Sequence, residues 1–394
     1  MRRPLPLLLL LLSVPVRADS VLVIPFFNLS PSSNLDWIGE SISQALREAL
    51  ASRGVPVLDR QEREEVYRRL SIRPHARLTR ASVIKVAEAL DAGEVIYGEF
   101  ELLPAVENSP AGGSRSSVRI TAHMLDVNHL RKGPEFGEVG ALEDLTKLET
   151  DLAWQALRIL APGSTPSAEE FHKETPPVRV NAMENYIRGL LAATPDQKHR
   201  FFTQAVRLDE SFSQPCFELG RLYWEKKEYR LAAPWLARVK AADPHFLEAN
   251  FLLGLCRYHT ADYDGAADAF ALVSRSLPLD EVFNNLGAAL SRRNRPGALE
   301  NFRKALESDP SDPDYHFNVG YVLWKAGDFT SAADSFRAVL DRNPEDALST
   351  LMLGRCLKKS GPRPGDPRSD GLERLKYNYE ERAYRQLKAA LGAK

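Results

Sequence analysis

The sequence lacks an excess of charge of either sign. Its 394 residues carry 52 Lys and Arg against 53 Asp and Glu, a formal net charge of -1 at pH 7. A nucleic-acid-binding domain usually has a strongly basic balance, so the composition argues against that class of protein. Hydrophobic residues make up 44% of the chain, which is ample for folding. The length exceeds what one compact core holds and predicts two or three domains.

Cysteine is scarce. The three cysteines are Cys216, Cys256 and Cys356. An odd number in an exported protein leaves open an intermolecular disulfide. Each of the three lies in an amphipathic helical pattern, however, where a small apolar side chain packs well. We therefore expect all three to be buried packing residues.

The motifs of common enzyme families are missing. The chain has no Gly-x-Ser-x-Gly, no phosphate loop, no His-Glu-x-x-His and no Cys-x-x-Cys. His123 and His129 could share a strand face, but they lack a third metal ligand at a suitable spacing. We predict a protein that is not an enzyme and holds no metal or cofactor. Two alternatives stay open for the amino-terminal domain: a hydrolase with a dispersed active site, and a small-ligand or glycan site.

Long apolar runs are lacking except at the amino terminus. Residues 5–12 are almost entirely apolar and follow two arginines. The run is too short to span a bilayer, which needs about 20 residues. The pattern is typical of a secretory signal, so we predict a signal peptide at residues 1–18 that is cleaved after Ala18. No Cys stands near the cleavage point. We therefore expect a periplasmic or secreted protein without a lipid anchor, and no transmembrane segment in the mature chain.

A proline-rich segment divides the rest of the sequence. Residues 161–178 contain four prolines among polar residues. Prolines at this density disfavour both helix and strand, so we predict an irregular linker. The linker separates an amino-terminal domain, residues 19–160, from a carboxy-terminal region, residues 179–394.

The amino-terminal domain is predicted to alternate between strands and helices. Short β-rich apolar runs predict strands at residues 21–27, 55–58, 94–102, 117–127 and 134–139. Apolar residues at helical spacing predict helices at residues 35–53, 61–70, 79–90 and 142–160. A loop rich in Pro and Gly favours an antiparallel hairpin between the third and fourth strands. This order predicts an α/β sandwich.

Two residue types recur in the carboxy-terminal region with one common period. The glycines are Gly220, Gly254, Gly287, Gly320 and Gly354. The prolines are Pro244, Pro278, Pro310 and Pro344. Their spacing of 32 to 34 residues is that of a helix–turn–helix repeat. We predict an all-α solenoid of about six units, residues 179–394, whose irregular last unit resumes the pattern at Ala383, Leu387 and Ala390.

One unit illustrates the expected packing. Gly254 stands in the middle of a first helix, where Gly costs about 1 kcal/mol relative to Ala. That cost is explained if a second helix approaches closely there, and Ala266 lies 12 residues later. Phe270 and Val273 continue the buried stripe. These residues resemble the tetratricopeptide repeat, and the resemblance implies a solenoid that holds a partner peptide or protein in a concave groove.

The same resemblance implies which residues line the groove. They are first-helix residues three positions before the repeat Gly and one, four and five positions after it. In this chain the positions are rich in aromatic and cationic side chains, which are typical of protein interfaces. The candidate groove residues are Phe217, Arg221, Trp224, Phe251, Tyr258, Arg292, Phe317, Tyr321, Trp324, Lys325, Arg355, Lys358 and Lys359.

This set predicts a groove that is apolar along its middle and positive at one end. Trp224 and Trp324 are expected to supply exposed apolar area, whereas Arg355, Lys358 and Lys359 are expected to set the direction of the ligand. A matching partner would present apolar side chains and an acidic end, such as a carboxyl terminus. The competing interpretation is that some of the aromatic rings pack against neighbouring helices and the charges are only solvated.

Four short motifs in the amino-terminal domain resemble the TolB amino-terminal-like family, which is related to CsgG- and FlgO-like envelope proteins. They are residues 24–30 (IPFFNLS), 38–42 (IGESI), 94–99 (EVIYGE) and 118–122 (VRITA). The resemblance implies a non-enzymatic domain that often precedes tetratricopeptide repeats. We therefore expect an exported scaffold or adaptor of the bacterial cell envelope, with a second envelope protein bound at this domain.

Overall fold

The structure is a computed structural model that describes residues 20–103, 116–363, 366 and 368–379. The predicted signal peptide, most of the predicted hairpin loop and the predicted resumption of the repeat at residues 383–390 lie outside these residues. The amino-terminal domain holds a small mixed sheet. Its strands are β1 (Val21–Val23), β2 (Phe27–Asn28), β3 (Glu94–Leu103), β4 (Ser117–Asp126) and β5 (Arg131–Ala141).

The strands are ordered β1-β3-β4-β5, and β2 also pairs with β3. The predicted antiparallel pairing of β3 with β4 is confirmed, whereas β1 and β2 run parallel to β3. The prediction of one strand over residues 21–27 is wrong. The strand is interrupted between β1 and β2 at Pro25, which has no N–H to donate. The strand predicted at residues 55–58 is a single bridge between Val57 and Val21.

Helices cover both faces of this sheet. They are α1 (Trp37–Ser52), α2 (Arg60–Arg69), α3 (Arg80–Ala89) and α4 (Leu145–Leu160). Because side chains alternate along a strand, Val21 and Val23 face the core beneath α1 and α4, whereas Leu22 faces the core beneath α2 and α3. The described part of this domain is thus a small mixed sheet with flanking helices, and the predicted α/β sandwich stays a prediction.

The segment predicted to be an irregular linker contains a helix, α5 (Ala168–Glu174). That prediction is wrong because the prolines flank the helix and do not interrupt it. Ser167 accepts a hydrogen bond from the N–H of Glu170, and the Glu170 carboxylate accepts one from the N–H of Ser167. This reciprocal cap starts a short helix, and the side chain of Phe171 in that helix is buried.

The carboxy-terminal region is a helical solenoid. Its helices are α6 (Val180–Leu191), α7 (Pro195–Leu208), α8 (Gln214–Glu225), α9 (Tyr229–Leu236), α10 (Phe246–His259), α11 (Tyr263–Ser276), α12 (Asp280–Arg292), α13 (Ala298–Ser308), α14 (Pro313–Lys325), α15 (Phe329–Arg342) and α16 (Ala347–Leu357). Within the described residues these form five helix pairs, and α16 is the first helix of a sixth unit. A continuous hydrophobic core joins the sheet, α1 and α4 to the first repeats.

The repeat glycines lie under aromatic or aliphatic side chains of the second helices. A Cβ atom on Gly254 would stand 2.7 Å from Cε1 of Phe270. Ala266 is also fully buried, as expected. At Gly354 nothing lies within 4 Å of such a Cβ atom in the described residues. Close approach of Phe270 therefore requires Gly at position 254, whereas the described residues include no such neighbour of Gly354.

The cysteine prediction is confirmed, since Cys216, Cys256 and Cys356 are buried as free thiols. Burial raises the pKa of Cys256 to about 12 and that of Cys356 to about 11, so both thiols are protonated at neutral pH. In the part of the chain that the structure describes, no helix combines the length and apolar character needed to cross a membrane.

Candidate peptide-binding groove

The first helices of successive repeats contact a stretch of the same chain that follows α16. This stretch, residues 368–379, is called the return segment. Its residues run backwards along the solenoid, from Arg368 beside Arg355 of α16 to Tyr377 beside Trp224 of α8. The groove is defined here as the first-helix surface that the return segment contacts.

Two asparagine side chains hold the main chain of the return segment. The Asn318 amide donates to the carbonyl of Arg374 at 2.7 Å, and the Arg374 N–H donates back to Asn318 at 2.8 Å. Asn285 makes the same reciprocal pair with Lys376, at 2.7 and 2.8 Å. Residues two apart in an extended chain point the same way, so one Asn per repeat binds every second residue. Such contacts recognise the peptide backbone whatever its sequence.

A third asparagine connects these two contacts. The Asn284 amide donates to the carbonyl of Arg374 at 2.8 Å, and its oxygen accepts from Asn318 at 2.7 Å. Asn284, Asn285 and Asn318 are all fully buried. Buried amides are costly unless they are hydrogen-bonded, and here the return segment supplies partners.

An acidic side chain enters a polar pocket. Glu373 accepts a hydrogen bond from the hydroxyl of Ser291 at 2.6 Å, and its carboxylate stands 3.9 Å from Nζ of Lys325. The hydroxyl of Tyr258 approaches at 3.5 Å. Burial raises the pKa of Glu373, while Ser291 and Lys325 oppose that shift. The pocket therefore accommodates an acidic side chain and supplies its hydrogen-bond donor and a nearby cation.

Two basic side chains meet an acidic cluster that the sequence analysis missed. Arg374 forms ion pairs with Asp314 at 3.1 Å and with Asp346 at 2.7 Å, and its guanidinium lies 3.9 Å from the ring centre of Phe317. Lys376 forms ion pairs with Asp312 at 2.6 Å and with Asp314 at 2.8 Å. These carboxylates raise the pKa of Lys376 against the opposing effect of burial.

Aromatic rings complete the far end of the groove. The ring of Tyr377 stacks on His259, with centres 5.6 Å apart, and tilts against Trp224 at 6.3 Å. Tyr379 meets the ring of Phe251 edge to face at 5.4 Å. Aromatic pairs of this kind add about 0.5–1.5 kcal/mol beyond the area that they bury.

Eight of the thirteen predicted groove residues touch the return segment. Besides those above, Tyr321 donates to the carbonyl of Ser369 at 3.0 Å, and Arg292 lies 3.4 Å from Asp370. The eight are Trp224, Phe251, Tyr258, Arg292, Phe317, Tyr321, Lys325 and Arg355.

The other five predicted residues have different surroundings. Phe217 is buried and stacks on His245, with centres 4.4 Å apart, and Arg221 lies over Phe217. Trp324 is fully buried and donates to the carbonyl of Ser360, so it cannot supply the exposed area expected of it. Lys358 and Lys359 are exposed just beyond α16.

The expectation that the groove is apolar in its middle and positive at one end is also wrong. The acidic cluster lies between the cationic part and the aromatic part. The missed backbone contacts had a signal in the sequence. Asn285 and Asn318 both stand two residues before a repeat Gly. A buried polar residue that recurs at one repeat position indicates a shared contact.

The amino-terminal domain has buried charges of another kind. Arg63 donates to both oxygens of Glu40, at 2.8 and 2.9 Å, and Arg60 lies 3.1 Å from the same carboxylate. Burial also raises the pKa of Glu48 to about 7 and that of Glu149 to about 8. Glu48 accepts a hydrogen bond from Gln214 of α8, across the boundary between the domain and the repeats.

A cavity of about 300 Å³ lies between this domain and the first repeat. Ser33, Asp36 and His75 are among its lining residues; the Asp36 N–H donates to the Ser33 carbonyl, but no side-chain hydrogen bond joins the three within the described residues. Nor do the described residues contain a group of His, Cys, Asp and Glu that could hold a metal ion. His123 and His129 pair with Glu135 and Asp126.

Comparison with known proteins agrees with the repeat architecture. The tetratricopeptide-repeat family model matches residues 217–280, 288–347 and 320–359. Together with the paired helices and the period of 32 to 34 residues, this match identifies tetratricopeptide repeats in the chain. Such repeats mediate interactions between proteins.

Curated relatives match only part of this chain. A BBSome complex member BBS4 homolog from Drosophila melanogaster is 21% identical over 184 residues, which cover 45% of this chain and 38% of the relative. The peroxisomal targeting signal receptor of Saccharomyces cerevisiae is 34% identical over 95 residues, or 24% of this chain and 16% of the relative. The chain thus spans less than half the length of these relatives.

Solved structures with similar helices include YrrB, described as a TPR protein with an unusual peptide-binding site. It is 22% identical, with a TM-score of 0.35, and covers 43% of this chain and 86% of its own. MamA from Desulfovibrio magneticus RS-1 is 20% identical, with a TM-score of 0.35, and covers 41% of this chain and 92% of its own. At these identities the similarity concerns the helical fold alone.

Proposed function

We propose that this protein is a non-catalytic binding scaffold that holds an extended segment of a partner protein in the groove. One observation carries the proposal: the groove binds a stretch of peptide through main-chain hydrogen bonds from Asn285 and Asn318, at one residue per repeat. These contacts do not depend on the peptide belonging to the same chain. The ring stacking and the charge pairs around them are those of an interface.

The setting is part of the proposal. The charged start and short apolar run of residues 1–18 support export with cleavage after Ala18, and hence a periplasmic or secreted adaptor in the bacterial envelope. The motifs that resemble the TolB amino-terminal-like family support a second envelope partner at the sheet domain. Mass spectrometry of the mature protein tests export directly: the expected first residue is Asp19, and an intact Met1 in the exported fraction contradicts it.

Site-specific cross-linking tests the use of the groove. Leu351 of α16 is 49% exposed, and it stands at the groove position that Phe317 holds one repeat earlier. A photoreactive amino acid at Leu351 is expected to cross-link a partner protein in cells. The matched control is the same amino acid at Arg337, an exposed residue of the second helix α15. Equal cross-linking from both positions, or partner adducts from Arg337 alone, would contradict binding in the groove.

A further inference from the structure

The return segment does more than fill the groove. Each of its side chains from Glu373 to Tyr377, apart from Leu375, meets a complementary polar, charged or aromatic group. Leu375 packs against apolar residues of the repeats. The groove therefore distinguishes side chains by position, in addition to holding the backbone.

We propose that the groove recognises an extended peptide with the order acid, base, apolar, base, aromatic, and that the return segment is an internal copy of this ligand that the partner must displace. The inference rests on the proposed function for the existence of a partner. It adds the chemistry of the bound segment and the competition within the chain.

Charge is the first reason for this order. The acidic cluster of Asp312, Asp314 and Asp346 faces Arg374 and Lys376 at 2.6 to 3.1 Å. The opposite end of α14 carries the opposite charge, because Lys325 there faces Glu373 together with Ser291 of the preceding repeat. Partly buried pairs are screened less by salt than surface pairs. A peptide shifted by one residue would bring either its first base to Lys325 or its acid to the carboxylates, depending on the direction of the shift.

Fit at Gly371 is the second reason. Gly371 has φ +72°, and an added Cβ atom there would overlap the guanidinium of Arg292. The backbone conformation favours Gly there, and a larger residue would also have to displace the Arg292 guanidinium. A turn of this kind just before the acid is part of the internal ligand and is expected to orient its extended portion.

The covalent tether explains how the internal copy competes. Helix α16 ends at Leu357, so ten residues, 358–367, separate it from the return segment. A short tether of this kind gives an effective concentration on the order of mM. An external peptide of equal intrinsic affinity therefore binds only weakly until the return segment leaves the groove.

A labelled synthetic peptide with the sequence of residues 368–379 tests the proposal by fluorescence anisotropy. The protein is the full chain, either as the parent or as a released variant with Arg374→Glu and Lys376→Glu. Those changes place like charges against the acidic cluster and should free the groove. We expect the released variant to bind the peptide at least tenfold more tightly than the parent.

Three controls make the result specific. A peptide with Glu in place of both bases should not bind the released variant. Adding Asn285→Ala and Asn318→Ala to the released variant should abolish binding. Lys358→Glu with Lys359→Glu, in a parent whose return segment is intact, should leave binding as weak as in the parent. Circular dichroism melts establish that each variant is folded.

Equal peptide binding by the parent and the released variant would overturn the internal competition. Equal binding of the charge-reversed peptide would overturn the recognised order. Neither result depends on partner cross-linking from Leu351. If the peptide binds but no partner cross-links, the recognised order of residues stands and the proposed function fails. If the partner cross-links but the peptide does not bind, the proposed function stands and this inference fails.

Discussion

The sheet domain and the repeat solenoid both bury polar side chains, but they find partners for them in different places. In the sheet domain, Arg63 and Glu40 satisfy each other across two neighbouring helices. In the solenoid, Asn285 and Asn318 pair with a segment that is not part of any repeat. A buried polar group that is satisfied inside its own domain stabilises the fold. One that is satisfied by an outside segment indicates a binding surface.

The largest expected effect comes from breaking the internal pair of the sheet domain. Arg63→Met should destabilise the protein by about 3–5 kcal/mol, because it removes the guanidinium nitrogen that donates to both oxygens of the buried Glu40 carboxylate. Urea denaturation measures the free energy of unfolding. The matched control, Arg68→Met, removes an exposed ion pair and should cost less than about 1 kcal/mol. A loss at Arg63 no larger than at Arg68 would mean that the pair does not stabilise the domain.

The buried carboxyls of the sheet domain make its stability depend on pH. Burial raises the pKa of Glu149 to about 8 and that of Glu48 to about 7, from the ordinary carboxyl value of 4.5, so the folded state retains protons that the unfolded state releases. These groups therefore make the protein most stable below pH 4.5, and their contribution falls as the pH rises from about 4.5 to about 8.

Replacing one of these carboxyls by an amide tests the sign. Glu149→Gln mimics the protonated acid, so it should change stability little at pH 5 and raise it at pH 8, by on the order of 3 kcal/mol. Thermal melts at both pH values provide the measurement. Glu307→Gln, on an exposed face of α13, should have no comparable effect. A Glu149→Gln variant less stable than the parent at pH 8 would reverse the argument.

Helix packing offers a third comparison, within the solenoid itself. Gly254→Leu should destabilise by about 1–3 kcal/mol, because its side chain would overlap Phe270. Ala266→Leu should act in the same direction, since Ala266 is fully buried. At Gly354 the same change to Leu meets nothing within 4 Å among the described residues and should cost less than at Gly254, since Leu favours helix more than Gly does. Equal thermal melts for both Gly variants would contradict the repeat register.

The smallest effect on stability is expected in the groove. Asn285→Ala with Asn318→Ala should change the free energy of unfolding by no more than about 1 kcal/mol, because the return segment can leave and water can fill its place. The same variant should be cut faster by trypsin at Arg374 and Lys376. Asn301→Ala removes a side-chain hydrogen bond of α13 outside the groove and should not affect this cleavage. Equal cleavage in all three proteins would mean that the asparagines do not hold the segment.

Local periodicity predicted most of the elements well. The strand expected at residues 94–102 is observed at Glu94–Leu103, and the helix expected at residues 79–90 is observed at Arg80–Ala89. The repeat period located the first helices, and the resemblance to the tetratricopeptide repeat supplied the eight candidate residues that touch the return segment. Helix α5 was missed because its reciprocal cap at Ser167 depends on side-chain geometry, whereas the surrounding prolines dominated the pattern.

The sequence alone determined the two-part architecture, the repeat and its packing positions. Periods of two, 3.6 and about 34 residues depend only on the order of residues along the chain. Only the tertiary structure decided what occupies the groove. The hydrogen bonds of the return segment join residues 56 and 91 positions apart, so no local pattern contains them. In the sequence, the segment that interrupts the last repeat shows no regular pattern. In the folded protein, the return segment places its acidic and basic side chains against helices that carry the opposite charges.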